Sequence, residues 1–499
     1  MGSKALTRAS SAPAIEATPE GGSRDWSRVL SSPLMLPLVL LITFAVFAPT
    51  LTTWFTADDF WLLRSSQATP LGKFFVQAFD YRDLRPVPQF GYYRPLYVIS
   101  FRLCYAAFGQ HAIAYHALNL ALHLGSVVLV WLIARRLLHS GFSANVAAAI
   151  FALHPAYTES VVWIARGNTL MVTFVYLLTM LTFMNYVDGG RRRHFYYIAS
   201  VLGFAAAALY HTTALSLAAV LLGYVFLVAR TPSEMLRPRW WLRFAPFIVI
   251  AVVMMLIQTR DDVGLEQGFK AGWHQYPSFG QYLGLALLPV RPDDWLRLHL
   301  PSVALLSRLQ LGASLAMIGA ALVLLDRREW PYRGVFVIWW LCVALLPNTT
   351  AILGVTPAQL YLPGACLGLF FVLVTRRINE LLPAQLVRRA SKVAPLALTV
   401  LLVSAVSLSL NHQRPGANAT QENKSFLAQL RETVPSLPPG STLYIVSPPR
   451  NLLFLGSAAA LDASVELYYG DVTVHAISAE QAATIRAADP AALIFDNRP

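Results

Sequence analysis

Long apolar runs separated by short polar loops dominate the 499-residue chain. The runs recur near the length of roughly 17–25 residues that an α-helix needs to cross a bilayer. They predict an all-α polytopic membrane protein with about eleven transmembrane helices. The predicted spans lie near residues 33–50, 112–134, 144–160, 167–187, 195–211, 213–229, 243–258, 303–325, 332–348, 359–375 and 393–411.

The pattern changes at both ends of the chain, which predicts three domains. Residues 1–30 are polar and rich in Ser, Ala, Pro and Gly, as is typical of a disordered tail. Residues 31–411 form the predicted transmembrane domain. Residues 412–499 contain the strand-like segments "GSTLYIVSPP" and "VTVHAIS" and the helix-like segment "SAEQAATIRAA". They predict a small extracytoplasmic α/β domain.

Basic loops predict the orientation of the chain. Short loops such as "DGGRRRH" and "LDRREWPYRG" carry many of the arginines, and loops of this kind stay in the cytoplasm. The N-terminal tail is then cytoplasmic, whereas residues 51–111, 260–302 and the C-terminal domain face outward. We expect a multi-pass protein of a bacterial inner membrane. Its functional site is then expected to face the periplasm or the cell exterior.

Composition excludes a soluble enzyme, because 56% of residues are hydrophobic, 13% are charged, and the mean hydropathy is +0.51. The net charge of +13 resides largely in the short loops, so we expect contacts with lipid headgroups and no nucleic-acid partner. The three cysteines lie in apolar surroundings without paired spacing, which argues against a disulfide framework and a zinc site.

The segment "FTADDFWLLRSS" places Asp58 and Asp59 just after the first apolar run. Adjacent carboxylates repel, which raises the pKa of one of them unless a cation is near. A carboxylate at the membrane boundary suits a general base that activates a hydroxyl group. The alternative is structural: one Asp caps the following helix and the other is solvated.

Polar side chains also occur inside or at the ends of predicted spans. In "YHALNLALH", His116, Asn119 and His123 share one helix face. Helix packing is favoured over metal ligation there, because no carboxylate shares that face. In "YHTT", His211 lies at an outer helix end, where it could hold a phosphate group or extend to the interface.

The segment "LHPAYTESVVWIARG" breaks a predicted span at His154 and Pro155. Beyond the break, Glu159 and Arg166 can share a face with Trp163. The alternative interpretation is a helix that ends at the proline, with a solvated glutamate.

Five segments together resemble a known family. In order they are "FTADDF", "YYRPL", "YHALNLALHL", "FALHPAYTESVVWIARG" and "LYLPG". This order is similar to the GT-C superfamily of membrane glycosyltransferases. The likeness is to the branch of the transmembrane and tetratricopeptide-repeat O-mannosyltransferases and their bacterial relatives, and it runs from about residue 33 to residue 375.

The resemblance implies inverting transfer of a sugar from a polyprenyl-phosphate donor to an acceptor hydroxyl, with Asp58 or Asp59 as the base. No cofactor is certain, and either cationic side chains or a divalent ion, Mg²⁺ or Mn²⁺, would stabilise the leaving phosphate. The acceptor stays open among protein, glycan and lipid. The implied substrate-binding residues are Tyr93, Arg94, His154, Glu159, Arg166, His211 and Tyr361.

Several positions depart from the family pattern. Thr169 stands where the family has an acid, residues 210–212 are Tyr-His-Thr in place of Ser-Lys-Glu, and residues 357–358 are Pro-Ala in place of Glu-Arg. The α/β domain stands in the place of the repeats, which predicts a different acceptor. Two alternatives therefore stay open: a catalytically inactive scaffold that binds a lipid-linked sugar, and a transporter or flippase, against which the lack of matching halves argues.

Overall fold

The computed structural model describes most of the chain. The described residues are 31–80, 93–229, 238–258, 272–290, 303–325, 332–350, 355–453 and 458–498. The predicted tail at residues 1–30 lies outside the described residues.

α-Helices make up most of the described chain. In chain order they are α1 (Met35–Phe47), α2 (Asp58–Ala68), α3 (Leu71–Phe79), α4 (Pro95–Phe108), α5 (Ala112–Leu138), α6 (Gly141–Leu153), α7 (Thr158–Val162), α8 (Gly167–Asp188), α9 (Arg193–Tyr210), α10 (Ser216–Tyr224), α11 (Pro238–Gln258), α12 (Gln275–Leu287), α13 (Val303–Val323), α14 (Arg333–Leu345), α15 (Tyr361–Gly364), α16 (Leu367–Leu381), α17 (Ala384–Thr433), α18 (Ala459–Tyr469) and α19 (Ala479–Ala488).

The prediction of a polytopic helical membrane protein is confirmed. Among the described residues, seven helices are long and apolar enough to cross a membrane, or eight if the bent pair Pro357–Gly364 and Leu367–Leu381 counts as one span. The predicted number of about eleven is not confirmed. The spans predicted near 144–160, 195–211 and 393–411 correspond to the short helix α6, to α9 and to part of α17.

The predicted break at His154 and Pro155 is present. Helix α6 ends at Leu153, a 3₁₀ turn covers Pro155–Tyr157, and α7 follows. Proline lacks an amide hydrogen and its ring clashes with the preceding turn of a helix. The segment therefore folds as a short helix followed by a buried, irregular connection, and not as the single span predicted over residues 144–160.

The C-terminal domain is α/β, as predicted. Its sheet has three parallel strands in the order β2-β1-β3, where β1 is Ser441–Val446, β2 is Val472–Ile477 and β3 is Leu493–Asp496. In the register, Leu443 lies opposite Val474 on one side and Leu493 on the other.

This domain packs directly on the helices that follow the first span. Phe60 and Leu63 of α2 share one buried core with Ile445 of β1 and with Leu461 and Val465 of α18. Across its edge, Arg64 Nε donates to Glu466 Oε2 at 3.1 Å. The domain therefore lies at the end of the bundle that carries the acidic pair, as the loop charges predict.

Helix α17 passes through the predicted domain boundary between residues 411 and 412. It continues for 50 residues, although "NHQRPGANATQENK" is polar and contains Pro-Gly. Some polar side chains on this stretch are buried against other segments, among them those of His412 and Gln413. His412 Nδ1 lies 3.1 Å from the carbonyl oxygen of Pro155, and Gln413 Nε2 donates to the carbonyl oxygen of Val46 at 3.0 Å. These bonds satisfy backbone groups at helix ends, which keeps the polar stretch helical.

Candidate active site

The acidic pair forms the first two residues of helix α2 and follows a residue with a strained backbone. Ala57, which precedes the pair, has φ 45° and ψ −120°. A positive φ is costly for a residue with a Cβ atom, and such residues concentrate at functional sites. Ala57 is buried, so its neighbours hold this conformation. The strained residue sets the direction in which Asp58 and Asp59 leave the loop.

Asp59 is fully buried and ties two segments together. Its Oδ1 accepts from the backbone N–H of Ala165 at 2.7 Å, and its Oδ2 accepts from the backbone N–H of Thr56 at 2.9 Å. Burial raises the pKa of Asp59 to about 8, although both bonds oppose that rise. Asp59 therefore has a structural role, but it does not cap α2 as the sequence alternative expects, because it binds the N–H groups of Thr56 and Ala165 instead.

Asp58 differs from its neighbour in exposure and in partners. Its side chain is only partly buried, so it can meet a substrate. Burial raises the pKa of its carboxyl group, and the positive charge of Arg166 partly offsets that rise. A partly exposed carboxyl group with a raised pKa has the properties of a general base.

Arg166 lies at the centre of the charged group. Its Nη2 lies 3.4 Å from Glu159 Oε1, and its guanidinium lies over the ring of Trp163, 5.1 Å from the centroid. Within the described part of the chain, the buried Nε of Arg166 has no hydrogen-bond partner. The predicted shared face of Glu159, Trp163 and Arg166 is therefore present, and one donor of Arg166 is available to an acceptor.

Two further cationic candidates converge on the same place. The charges of Arg94 and Arg166 both act on His211, and those of Arg94, Arg166 and both aspartates act on Tyr97. Arg94 and Arg166 therefore lie within electrostatic range of both His211 and Tyr97, and Tyr97 also lies within range of the acidic pair.

The hydrogen bonds of His211 fix its tautomer. The backbone N–H of Thr213 donates to Nδ1 of His211 at 3.2 Å. Because Nδ1 accepts, the neutral ring carries its proton on Nε2. His211 can thus serve as a neutral hydrogen-bond donor at this site.

Two predicted substrate-binding residues, His154 and Tyr361, have structural contacts. His154 has Nε2 3.0 Å from the carbonyl oxygen of Ala286, and its Nδ1 accepts from the N–H of Ala156 at 3.3 Å. Tyr361 is fully buried, and its hydroxyl lies 2.8 Å from Nδ1 of His123. These contacts place both residues in the packed core, and their part in substrate binding stays a prediction.

Tyr93 joins the outer loop to helix α11. Its carbonyl oxygen accepts from Nε2 of Gln258 at 2.9 Å, and its hydroxyl donates to the carbonyl oxygen of Phe79 at 3.4 Å. Tyr93 thus supports the position of the adjacent Arg94. Its predicted contact with substrate stays a prediction.

The polar face of α5 packs, as the sequence favours. His116 Nε2 lies 3.0 Å from Thr53 Oγ1, and Asn119 Nδ2 donates to the carbonyl oxygen of Trp163 at 3.3 Å. Within the described ranges, no three His, Cys, Asp or Glu residues come together to hold a metal ion. The divalent cation stays a prediction, because several acidic residues of the outer loops lie outside those ranges.

Sequence reasoning missed the groups that position the acids. Thr56 and Ala165 act through their backbone N–H groups, and no side-chain pattern reports such a role. Asn423 and Asn451 add support from the C-terminal side, since their Nδ2 atoms lie 3.4 and 3.3 Å from Thr56 Oγ1. These asparagines lie more than 360 residues from Thr56 in the sequence, so no local pattern indicates the contact.

Comparison with known protein sequences finds partial matches among O-mannosyl-transferases. The chain is 34% identical to Protein O-mannosyl-transferase Tmtc1 of Drosophila melanogaster over 150 residues, which are 29% of this chain and 18% of that protein. It is 32% identical to Tmtc2 of the same organism over 176 residues, or 34% of this chain and 19% of that protein. The predicted resemblance to these O-mannosyl-transferases is confirmed. The matched segments span less than a fifth of those relatives, and no family model matches the chain.

Two solved structures align with most of this chain. ArnT from Cupriavidus metallidurans bound to undecaprenyl phosphate aligns with 93% of this chain and 90% of its own, at 14% identity and a TM-score of 0.49. The archaeal oligosaccharyltransferase AglB from Archaeoglobus fulgidus aligns with 91% of this chain and 64% of its own, at 14% identity and a TM-score of 0.45.

Proposed function

We propose that the protein is a glycosyltransferase that moves a sugar from a polyprenyl-phosphate donor to an acceptor hydroxyl on the outer face of the membrane. The observation that carries this proposal is a partly exposed carboxylate, Asp58, that lies just beyond the first membrane helix and within range of the positive charge of Arg166. The similarity to O-mannosyl-transferases supports the same reaction class.

Asp58 is the base of the proposed reaction. The acceptor oxygen forms a bond to the anomeric carbon while the bond from that carbon to the phosphate oxygen breaks. The acceptor proton passes to the Asp58 carboxylate, and the lipid phosphate leaves with the bonding electrons. Because Asp59 is buried and already accepts two backbone hydrogen bonds, it holds the helix end that presents Asp58.

Arg166, Arg94 and His211 stabilise the leaving phosphate. Arginine presents a planar set of donors that matches phosphate oxygens, and Arg166 has a buried Nε without a partner among the described residues. His211 donates from Nε2. This set compensates for the family's Lys and Arg, whose positions hold His211 and Ala358 here.

The C-terminal domain supports the acceptor side of the site. It packs on α2, and Asn451 reaches Thr56 beside the acidic pair. We propose that the acceptor approaches between this domain and the outer loops. The bacterial inner membrane, with the site facing the periplasm, is the location that this proposal uses.

Purified protein incubated with polyprenyl-phosphate sugars tests the proposal through release of the lipid phosphate. We expect release in the wild type and its loss in Asp58→Asn. Donor binding without release in the wild type would instead support the inactive scaffold. Movement of intact donor across reconstituted vesicles, again without release, would support the flippase.

A further inference from the structure

A polar cavity lies at the end of the bundle opposite the acidic pair. It has a volume of about 360 Å³ and lies between the last turns of α5 and α8, the turn after α10, and the first turn of α14. Its polar lining residues are Arg136, His139, Asp188, Tyr224 and Arg333. The basic loops place this end in the cytoplasm.

Most of the charge in this cavity is already compensated. Arg136 donates to Asn185 Oδ1 at 2.5 Å and to the carbonyl oxygen of Met184 at 2.7 Å, and it forms an ion pair with Asp188. Among the described residues that line the cavity, the single carboxylate is therefore paired with Arg136.

Arg333 is the exception. Within the part of the chain that the structure describes, no carboxylate pairs with it and no acceptor takes a hydrogen bond from its guanidinium. The charge of Arg376 acts on Arg333 as well, and Arg376 is held in place by a hydrogen bond to Ser143 Oγ at 2.6 Å. Among the described residues, the cavity thus presents a positive charge that no carboxylate compensates.

An unusual backbone feature forms one wall. Residues Val225–Ala229 adopt a π-helical turn, and Val228 and Ala229 line the cavity. The N–H of Tyr332 donates to the carbonyl oxygen of Leu227 at 2.8 Å, which fixes the start of α14 against this turn. π-Turns are rare and frequently occur at functional sites.

We propose that this cavity binds the phosphate group of an anionic phospholipid of the cytoplasmic leaflet, with Arg333 as the main contact. A phosphate monoanion matches the uncompensated guanidinium. Basic pockets between transmembrane helices on the cytoplasmic side bind lipid headgroups. This site is separate from the outer site and does not depend on the glycosyltransferase proposal.

Native mass spectrometry of the full-length protein tests the proposal. Protein is extracted from vesicles of phosphatidylcholine with or without phosphatidylglycerol, and the retained phosphatidylglycerol is counted. We expect Arg333→Gln to lower retention about tenfold or more, the scale for a lost hydrogen bond to a charged group. Arg389→Gln is the matched control, because it removes an exposed arginine on the same side and should retain lipid like the wild type.

Two further measurements keep the outcome decisive. Inorganic phosphate is added to the protein in neutral detergent, and the melting temperature is measured. A rise in the wild type but not in Arg333→Gln would make free phosphate the ligand, and no rise together with lipid retention makes it the headgroup. Should Arg333→Gln not fold, Arg333→Lys, which keeps the charge and loses the planar fork, should retain intermediate amounts. Equal retention in wild type and either folded variant would overturn the proposal.

Discussion

The two aspartates should respond differently to the same substitution. In Asp59→Asn, the side chain keeps one oxygen and gains an NH₂ group, which cannot accept. Only one of the two N–H groups, from Thr56 and Ala165, can then be satisfied. A buried N–H without a partner costs about 1–3 kcal/mol. Among the described residues, the side chain of Asp58 makes no hydrogen bond. The free energy of unfolding should therefore change little in Asp58→Asn.

Activity should show the opposite order. Removing a general base lowers the rate about 10²–10⁴-fold, so Asp58→Asn should lose turnover while its melting temperature stays close to that of the wild type. Asp59→Asn should melt a few degrees lower, with a smaller loss of turnover per folded molecule. Both are measured on the same preparations, by thermal shift and by release of lipid phosphate. Normal turnover in Asp58→Asn together with unchanged melting in Asp59→Asn would refute the division of roles.

Three further outcomes follow from the site. Arg94→Ala should weaken binding of the lipid phosphate by about 1.5–3 kcal/mol in a lipid-binding titration, whereas Arg102→Ala, in the helix α4 that follows Arg94, should not; intact binding together with a large fall in the melting temperature of Arg94→Ala would mark Arg94 as structural. Ala57→Val should lower the free energy of unfolding by about 1–3 kcal/mol, because φ is positive there, whereas Ala57→Gly should not, and equal melting temperatures would contradict the strain. Turnover should fall as the pH drops through the raised pKa of Asp58, since the base must be ionised, and a profile that is flat on the acid side would argue against that base.

Hydrophobic length was sufficient to predict the helical membrane domain, and short β-branched segments between turn residues were sufficient to predict the α/β character of the C-terminal part. They were not sufficient at α17, because its polar residues satisfy backbone carbonyls of distant segments, and such pairing leaves no periodic signal. The same holds for the acidic pair. Asp58 and Asp59 look alike in sequence, and what distinguishes them includes the N–H of Ala165, 106 residues away from Asp59.

The continuous helix α17 has a consequence for protein engineering and for evolution. At about 1.5 Å per residue, its 50 residues form a single rod that belongs to both the membrane bundle and the C-terminal domain. Asn423, on this rod, donates to the carbonyl oxygen of Phe55, three residues before Asp58. The C-terminal part is therefore not a detachable module. A chimera that exchanges it for the equivalent part of a relative must also carry over this asparagine and the surface of α2, or the exchange will disorganise the acidic pair.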